Sequence, residues 1–246
     1  MKRAFLGAAL VILAGGCGGD DEQASTGTTA TEPVTLTAPG RVYWLREGKV
    51  WPAARDIETP AVASAALGPL FEGPTEQETE LGLSTAIPDG IEGADVSIDD
   101  GLAVVQLDVQ LLDEALGQIV YTLTQFPTVE RVEIHERIVT RADFEDETPA
   151  ILVKSPLSFE EVTSPLRATG TANTFEANFQ YELTDTDGRI IAEHFVTATS
   201  GTGTRGTFEF SVPFAFEGEG TLIVFESSAE DGSRINVAEI PLRLTQ

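Results

Sequence analysis

The sequence predicts an α+β domain of order β-β-α-β-β-α-β, followed by an all-β immunoglobulin-like sandwich of about seven strands. Two stretches with helical spacing set among alternating segments predict the first half. The loss of all helical signal beyond Thr148-Pro149, with short alternating stretches recurring to the end, predicts the second. A basic start and an apolar run closed by the chain's single cysteine, Cys17, set both domains behind a leader.

Residues 1–16 read as a signal peptide, since Lys2 and Arg3 precede an apolar stretch, Ala4 to Leu13, that is followed by small residues. That stretch falls well short of the roughly 20 residues a membrane-spanning helix needs. Leu13-Ala14-Gly15-Gly16-Cys17 resembles the bacterial lipobox, in which the cysteine is lipidated and becomes the first residue, with Ala14 where leucine is commonest. A buried free thiol is the alternative, but glycines flank Cys17 and Asp20, Asp21 and Glu22 follow it, so it has no core to enter. Lipidation, palmitate included, would anchor the chain stably. Residues 17–40 are then a lipidated cysteine and a flexible acidic tether rich in Thr, Gly and Ala. Its reach is on the order of 25 to 30 Å.

The whole chain holds 15 basic and 40 acidic residues. Removing the leader leaves 13 basic residues against the same 40, a surface that repels nucleic-acid phosphates and anionic headgroups alike. Nucleic acid is therefore excluded as a partner, and the lipid is the expected membrane attachment. The acidity is spread along the chain and forms no charged tail.

The first domain is expected over residues 41–147. Val42 to Leu45 and Val50-Trp51 flank Glu47-Gly48 as a hairpin. Thr59 as N-cap and Pro60 at the first helical position open a helix through Leu70, which Gly73-Pro74 stops. Residues 75–83 read as a short second helical piece. Val96 and Ile98, the Asp99-Asp100-Gly101 turn and Val104 to Leu107 make a second hairpin. A longer helix from about Leu111 to Phe126 presents one apolar stripe, Pro127 ends it, and Val129, Val132 and Ile134 form the last strand. The helices should cover one face of a single, mostly antiparallel sheet.

The second domain is expected over residues 150–246. Its strands are placed at 151–153, 162–168, 175–183, 190–196, 208–214, 222–225 and 235–244. Phe175, Ala177, Phe179, Tyr181 and Leu183 alternate with polar residues and should face the inter-sheet core.

These residues carry a resemblance. The first domain resembles the GerMN domain of bacterial sporulation and germination lipoproteins in four blocks: Leu70 to Thr75, Gly82 to Pro88, Asp100-Gly101 with Val104 to Asp108, and Gln118 to Pro127. The second is similar to the immunoglobulin-like domain of bacterial spore germination proteins, through Ser155-Pro156, Ser164 to Leu166, Gly170 to Glu176, Asp187-Gly188, and Glu226 to Ser228 before Asp231 to Ser233. The resemblance implies envelope lipoproteins that act by protein contact, some built on folds related to ring-building motifs. Neither family brings catalytic residues with it.

The search for chemistry returns no catalytic residue, metal ligand or cofactor site. Gly201 to Gly206 spells GxGxxG, yet its flanks are strands, so a flexible loop is expected in place of a phosphate cradle. Thr184 to Gly188 lacks the distal ligands of a calcium loop and reads as a turn. His135 and His194 fall in different domains, each within an expected strand, and one histidine per domain, without HExxH spacing, makes no zinc site unless several carboxylates converge on it. Adjacent acids such as Asp99 and Asp100 point to opposite faces of a strand and cannot flank one glycosidic bond. The aromatics Tyr43, Trp44 and Trp51 of the first hairpin read as sheet packing, with a contact patch for a protein or cell-wall polymer as the alternative.

The sequence thus predicts a non-enzymatic lipoprotein on the extracytoplasmic face of the cell membrane. It would act by binding or assembly with envelope proteins or its own copies, in sporulation or spore germination. The rival readings are an accessory to a sensor kinase and a cell-wall or ligand-binding lipoprotein.

Overall fold

The computed structural model describes residues 36–246. Cys17, the signal peptide and most of the tether lie outside the described residues.

Strands β1 (Thr37–Arg46) and β2 (Lys49–Glu58) form an antiparallel ribbon in unbroken register, with Trp44 opposite Trp51. Glu47 and Gly48 both take positive φ, the conformation of a tight two-residue hairpin turn. The ribbon is a sheet of its own, so the single sheet expected for this domain is in fact two. Val42 to Leu45 are all buried, because different elements cover the two faces. Tyr121 meets the ring of Tyr43 at 5.2 Å, and Trp44 lies under Arg55. Tyr43 is 1%, Trp44 0% and Trp51 8% exposed, so these three aromatics are core and form no surface contact patch.

The expected first helix is two short pieces, α1 (Val62–Ala65) and α2 (Leu67–Glu72). Thr59 does not cap it: its N–H and hydroxyl both donate to Leu36 O and close the strand pair instead. Gly73, at positive φ, ends α2. Helix α3 (Glu76–Glu80) opens on a reciprocal cap between Thr75 and Glu78.

Strands β3 (Asp95–Asp99) and β4 (Leu102–Gln106) make the second hairpin. Helix α4 (Asp113–Leu123) then crosses to β5 (Arg131–Ile134), which runs parallel to β4, and β6 (Arg137–Val139) adds an antiparallel edge. The two residues joining β5 to β6 are His135 and Glu136, both at positive φ, so His135 is a turn residue and not a strand residue. Every residue of α4 from Ala115 to Leu123 is buried, including Gln118 and Thr122. A single apolar stripe is therefore too little: α4 is surrounded, by β1, α2, β5 and a 3-10 turn at Arg141–Phe144 whose Phe144 seats on Gly117.

The second half is a sandwich of eight strands. Its larger sheet runs in the order β11 (Ile190–Thr197), β10 (Asn178–Asp185), β13 (Gly218–Ser227), β14 (Arg234–Thr245), β8 (Glu161–Thr163). The smaller runs β12 (Gly206–Val212), β9 (Leu166–Ala172), β7 (Ile151–Ser155). The strand expected at 162–168 is two strands in different sheets, switching at Ser164-Pro165 where the proline offers no N–H to a ladder. Between the sheets Phe179 meets Phe208 edge-on at 4.8 Å, and Tyr181 stacks on Phe210 at 4.6 Å. Phe179, Tyr181 and Leu183 face this core, but Phe175 is 60% exposed. A 3-10 turn at Phe175–Ala177, with Glu176 and Ala177 at positive φ, breaks the alternation before the strand begins. One contiguous apolar core runs through both halves.

Candidate functional site

The joint between the two halves gathers a cluster of long-range polar contacts, and the segment that builds it is Glu145 to Ala150. Val50 N donates to Glu147 O at 2.7 Å, and Lys49 Nζ donates to Asp146 O. From the other side Asn173 N donates to Ala150 O at 2.8 Å. The side chain of Glu145 receives Arg205 Nε at 2.9 Å and Asn173 Nδ2 at 2.9 Å, while Arg205 Nη2 reaches Pro149 O at 3.0 Å. Burial opposes ionisation of Glu145, but Arg205 and Asn173 outweigh it and hold its carboxyl below the ordinary range.

Behind this segment Arg141 closes the end of α4. It donates to Thr124 Oγ1 at 2.6 Å and Tyr121 O at 3.1 Å, a cation at the negative end of a helix. Its guanidinium also lies 4.7 Å from the Tyr121 ring centre. The Tyr121 hydroxyl, hydrogen-bonded to Thr148, is buried, and burial raises its pKa.

Arg41 bridges the halves directly, its Nε donating to Lys154 O at 3.0 Å. Lys154 sits where β7 bulges against β9. Its ammonium is pushed down to about 8 by burial first and by the charges of Arg141, Arg41 and Arg205 second. Beside it opens a cleft of about 590 Å³ whose walls come from both halves, among them Arg41, Gln125, Lys154 and Ser155.

The motif residues of the first half turn out to be backbone partners. Gln118, Thr122 and Gln125 lie along one face of α4 and its continuation. Gln118 Nε2 donates to Tyr43 O at 2.9 Å while its Oε1 accepts from Ala86 N at 2.8 Å. Thr122 Oγ1 accepts from Tyr43 N at 3.1 Å, and Gln125 both accepts from Arg41 N at 2.8 Å and donates to Arg41 O. Further along, Leu45 and Ser84 exchange a pair of 2.8 Å backbone bonds. A helix face and one bridge residue thus stand in for a missing strand at the edge of β1. Polar residues at helical spacing inside an apolar run are the signal that could have found them.

The other sequence candidates are scattered. In the GxGxxG stretch Gly203 N donates to Asn173 Oδ1 at 2.9 Å and Thr202 N to Thr174 O at 2.9 Å. The stretch is a loop between two strands, as expected, held by these bonds against Asn173 and Thr174 and packed so closely that a Cβ at Gly201 would lie 2.5 Å from Thr174 O. Asp185 Oδ1 is occupied by the N–H groups of Asp187 and Arg189, which makes it a turn residue. His135 Nε2 bonds Val109 O at 2.8 Å, and His194 is an exposed residue of β11. Among the described residues no group of three or more His, Cys, Asp or Glu could hold a metal ion. Among them, too, no helix is long and apolar enough to cross a membrane.

Residues 41–136 match the family described as sporulation and spore germination, and residues 150–233 match the immunoglobulin-like domain of bacterial spore germination. No curated protein matches the chain significantly. Among solved structures it is similar to CopC from Methylosinus trichosporium OB3b, at 12% identity over 38% of this chain and 92% of that one, with a TM-score of 0.28. It is also similar to WR4, a C. elegans MSP family member, at 15% identity over 39% of this chain and 95% of that one, with a TM-score of 0.22.

Proposed function

From a chain that joins a sporulation and spore germination domain to an immunoglobulin-like domain of bacterial spore germination, we propose a lipid-anchored, extracytoplasmic protein that works by binding and assembly, without catalysis. Both domains support a role in sporulation or spore germination. The anchor would be Cys17, and the partners would be envelope proteins or further copies of the chain.

The observation that carries this reading is the way the two domains are joined. Glu145 to Ala150 is bonded on both sides, by Val50 and by Asn173, and one core continues across it. A fixed pair of domains presents one continuous surface to a partner, as an assembly protein requires; a mobile linker would leave two independent modules. The acidic surface favours a partner with basic patches.

Cross-linking in intact cells is the test, with recovery of envelope proteins or of the chain's own oligomers as the expected outcome. Cleavage of a cell-wall substrate by the purified chain would overturn the reading. The anchor is tested separately: Cys17→Ala should release the protein from the membrane fraction and abolish metabolic labelling with a palmitate analogue. A variant that stays membrane-bound would show that another element holds it.

A further inference from the structure

Arg41, Arg141, Lys154 and Arg205 come together at the joint, in a chain where acidic residues outnumber basic ones by 40 to 15. Two of the four are occupied. Arg205 pairs with Glu145, and Arg141 caps α4. Among the described residues Lys154 Nζ makes no hydrogen bond and no ion pair, and Arg41 uses its Nε alone. Asp56 and Glu160 also line the cleft, yet neither comes within ion-pairing distance of Arg41 or Lys154, and Glu160 accepts instead from Leu157 N at 2.7 Å.

A half-buried ammonium with no ion-pair partner is costly, and a fold gains nothing from gathering three guanidinium groups around it. An anion in the cleft reverses that balance. It would meet up to three donors on Lys154 Nζ and the two free nitrogens of Arg41, in the forked geometry that suits a tetrahedral oxyanion. The Ser155 hydroxyl adds a neutral donor, and the fields of Arg141 and Arg205 favour a compact, multiply charged group over a single carboxylate.

We propose that the cleft at the domain joint binds a phosphoryl group through Arg41 and Lys154. The ligand would touch β1 of one domain and β7 of the other, so binding would tighten the joint. This inference stands apart from the lipid anchor and from the identity of any protein partner.

Thermal unfolding of the full chain against inorganic phosphate, with chloride at matched ionic strength as the control, is the test. Phosphate should raise the unfolding midpoint progressively, and acetate should not. Lys154→Met should weaken the apparent affinity at least about tenfold, whereas Arg189→Ala, an exposed cation elsewhere, should respond as the native chain does. A native response no greater than chloride gives, or an equal response in Lys154→Met, overturns the proposal. Should Lys154→Met fail to fold, side-chain NMR of the native protein replaces it: phosphate should move the Lys154 titration upward from about 8, and an unmoved midpoint overturns the proposal. Replacing phosphate with a glycerol phosphodiester tells whether the site takes a free monoester or a unit within a polymer.

Discussion

Glu78 is a buried carboxylate that the fold keeps ionised. Arg55 grips both its oxygens, at 2.7 and 2.6 Å, and the Thr75 N–H donates to it at 2.7 Å. Burial alone would raise its pKa, yet these partners outweigh burial and hold it below the usual carboxylate range. Such a group stabilises the fold above its unfolded pKa of about 4.3, and the contribution is lost as pH falls through the depressed folded value. Arg55→Ala leaves the carboxylate buried and unpaired, and should cost about 3 kcal/mol at pH 7 in a urea titration. The gap between native and variant should close as pH falls through the depressed folded value, below which both protonate Glu78. A gap that stays constant with pH would mean that Arg55 acts through its packing on Trp44, 5.4 Å away, and not through charge.

At the scale of elements, the open edge of β1 is the problem that the first domain solves. A two-stranded ribbon is marginal by itself and leaves a row of unpaired backbone groups. Here α4 supplies amide and hydroxyl groups in place of a strand's backbone, and Ser84 completes the row. Gln118→Ala would orphan the buried Tyr43 carbonyl and the half-buried Ala86 N–H together. The expected loss is about 2 to 4 kcal/mol, read as a lower urea midpoint with an unchanged slope. Amide exchange at Ala86 should rise in step, and a protected Ala86 would show that the edge is held without Gln118. The block Gln118 to Pro127 is legible in the sequence as a helix with an end. Its polar members become intelligible only once β1 lies alongside, since Tyr43 is 75 residues away from Gln118 in the chain.

Across the whole molecule, two domains behave as one body because the segment between them is spent on hydrogen bonds. Arg205→Ala removes the donor to Glu145 and Pro149 at once. It should lower stability by about 1 to 2 kcal/mol and speed proteolysis between residues 145 and 150 several-fold. Unchanged cleavage would place the strength of the joint in its apolar contacts instead. The α+β class and the sandwich were readable in advance, because hydrophobic period and turn chemistry are local properties of the chain, whereas the break in the first helix, the edge strand β6 and the sheet switch at Ser164-Pro165 were not. The sheet packing of Tyr43, Trp44 and Trp51 was legible too, but the covering of both faces of their ribbon, the division into two sheets and the convergence of Arg41, Lys154 and Arg205 were not. Those depend on which distant segment covers which face, and a pattern of residues records a periodicity without naming the surface that will meet it.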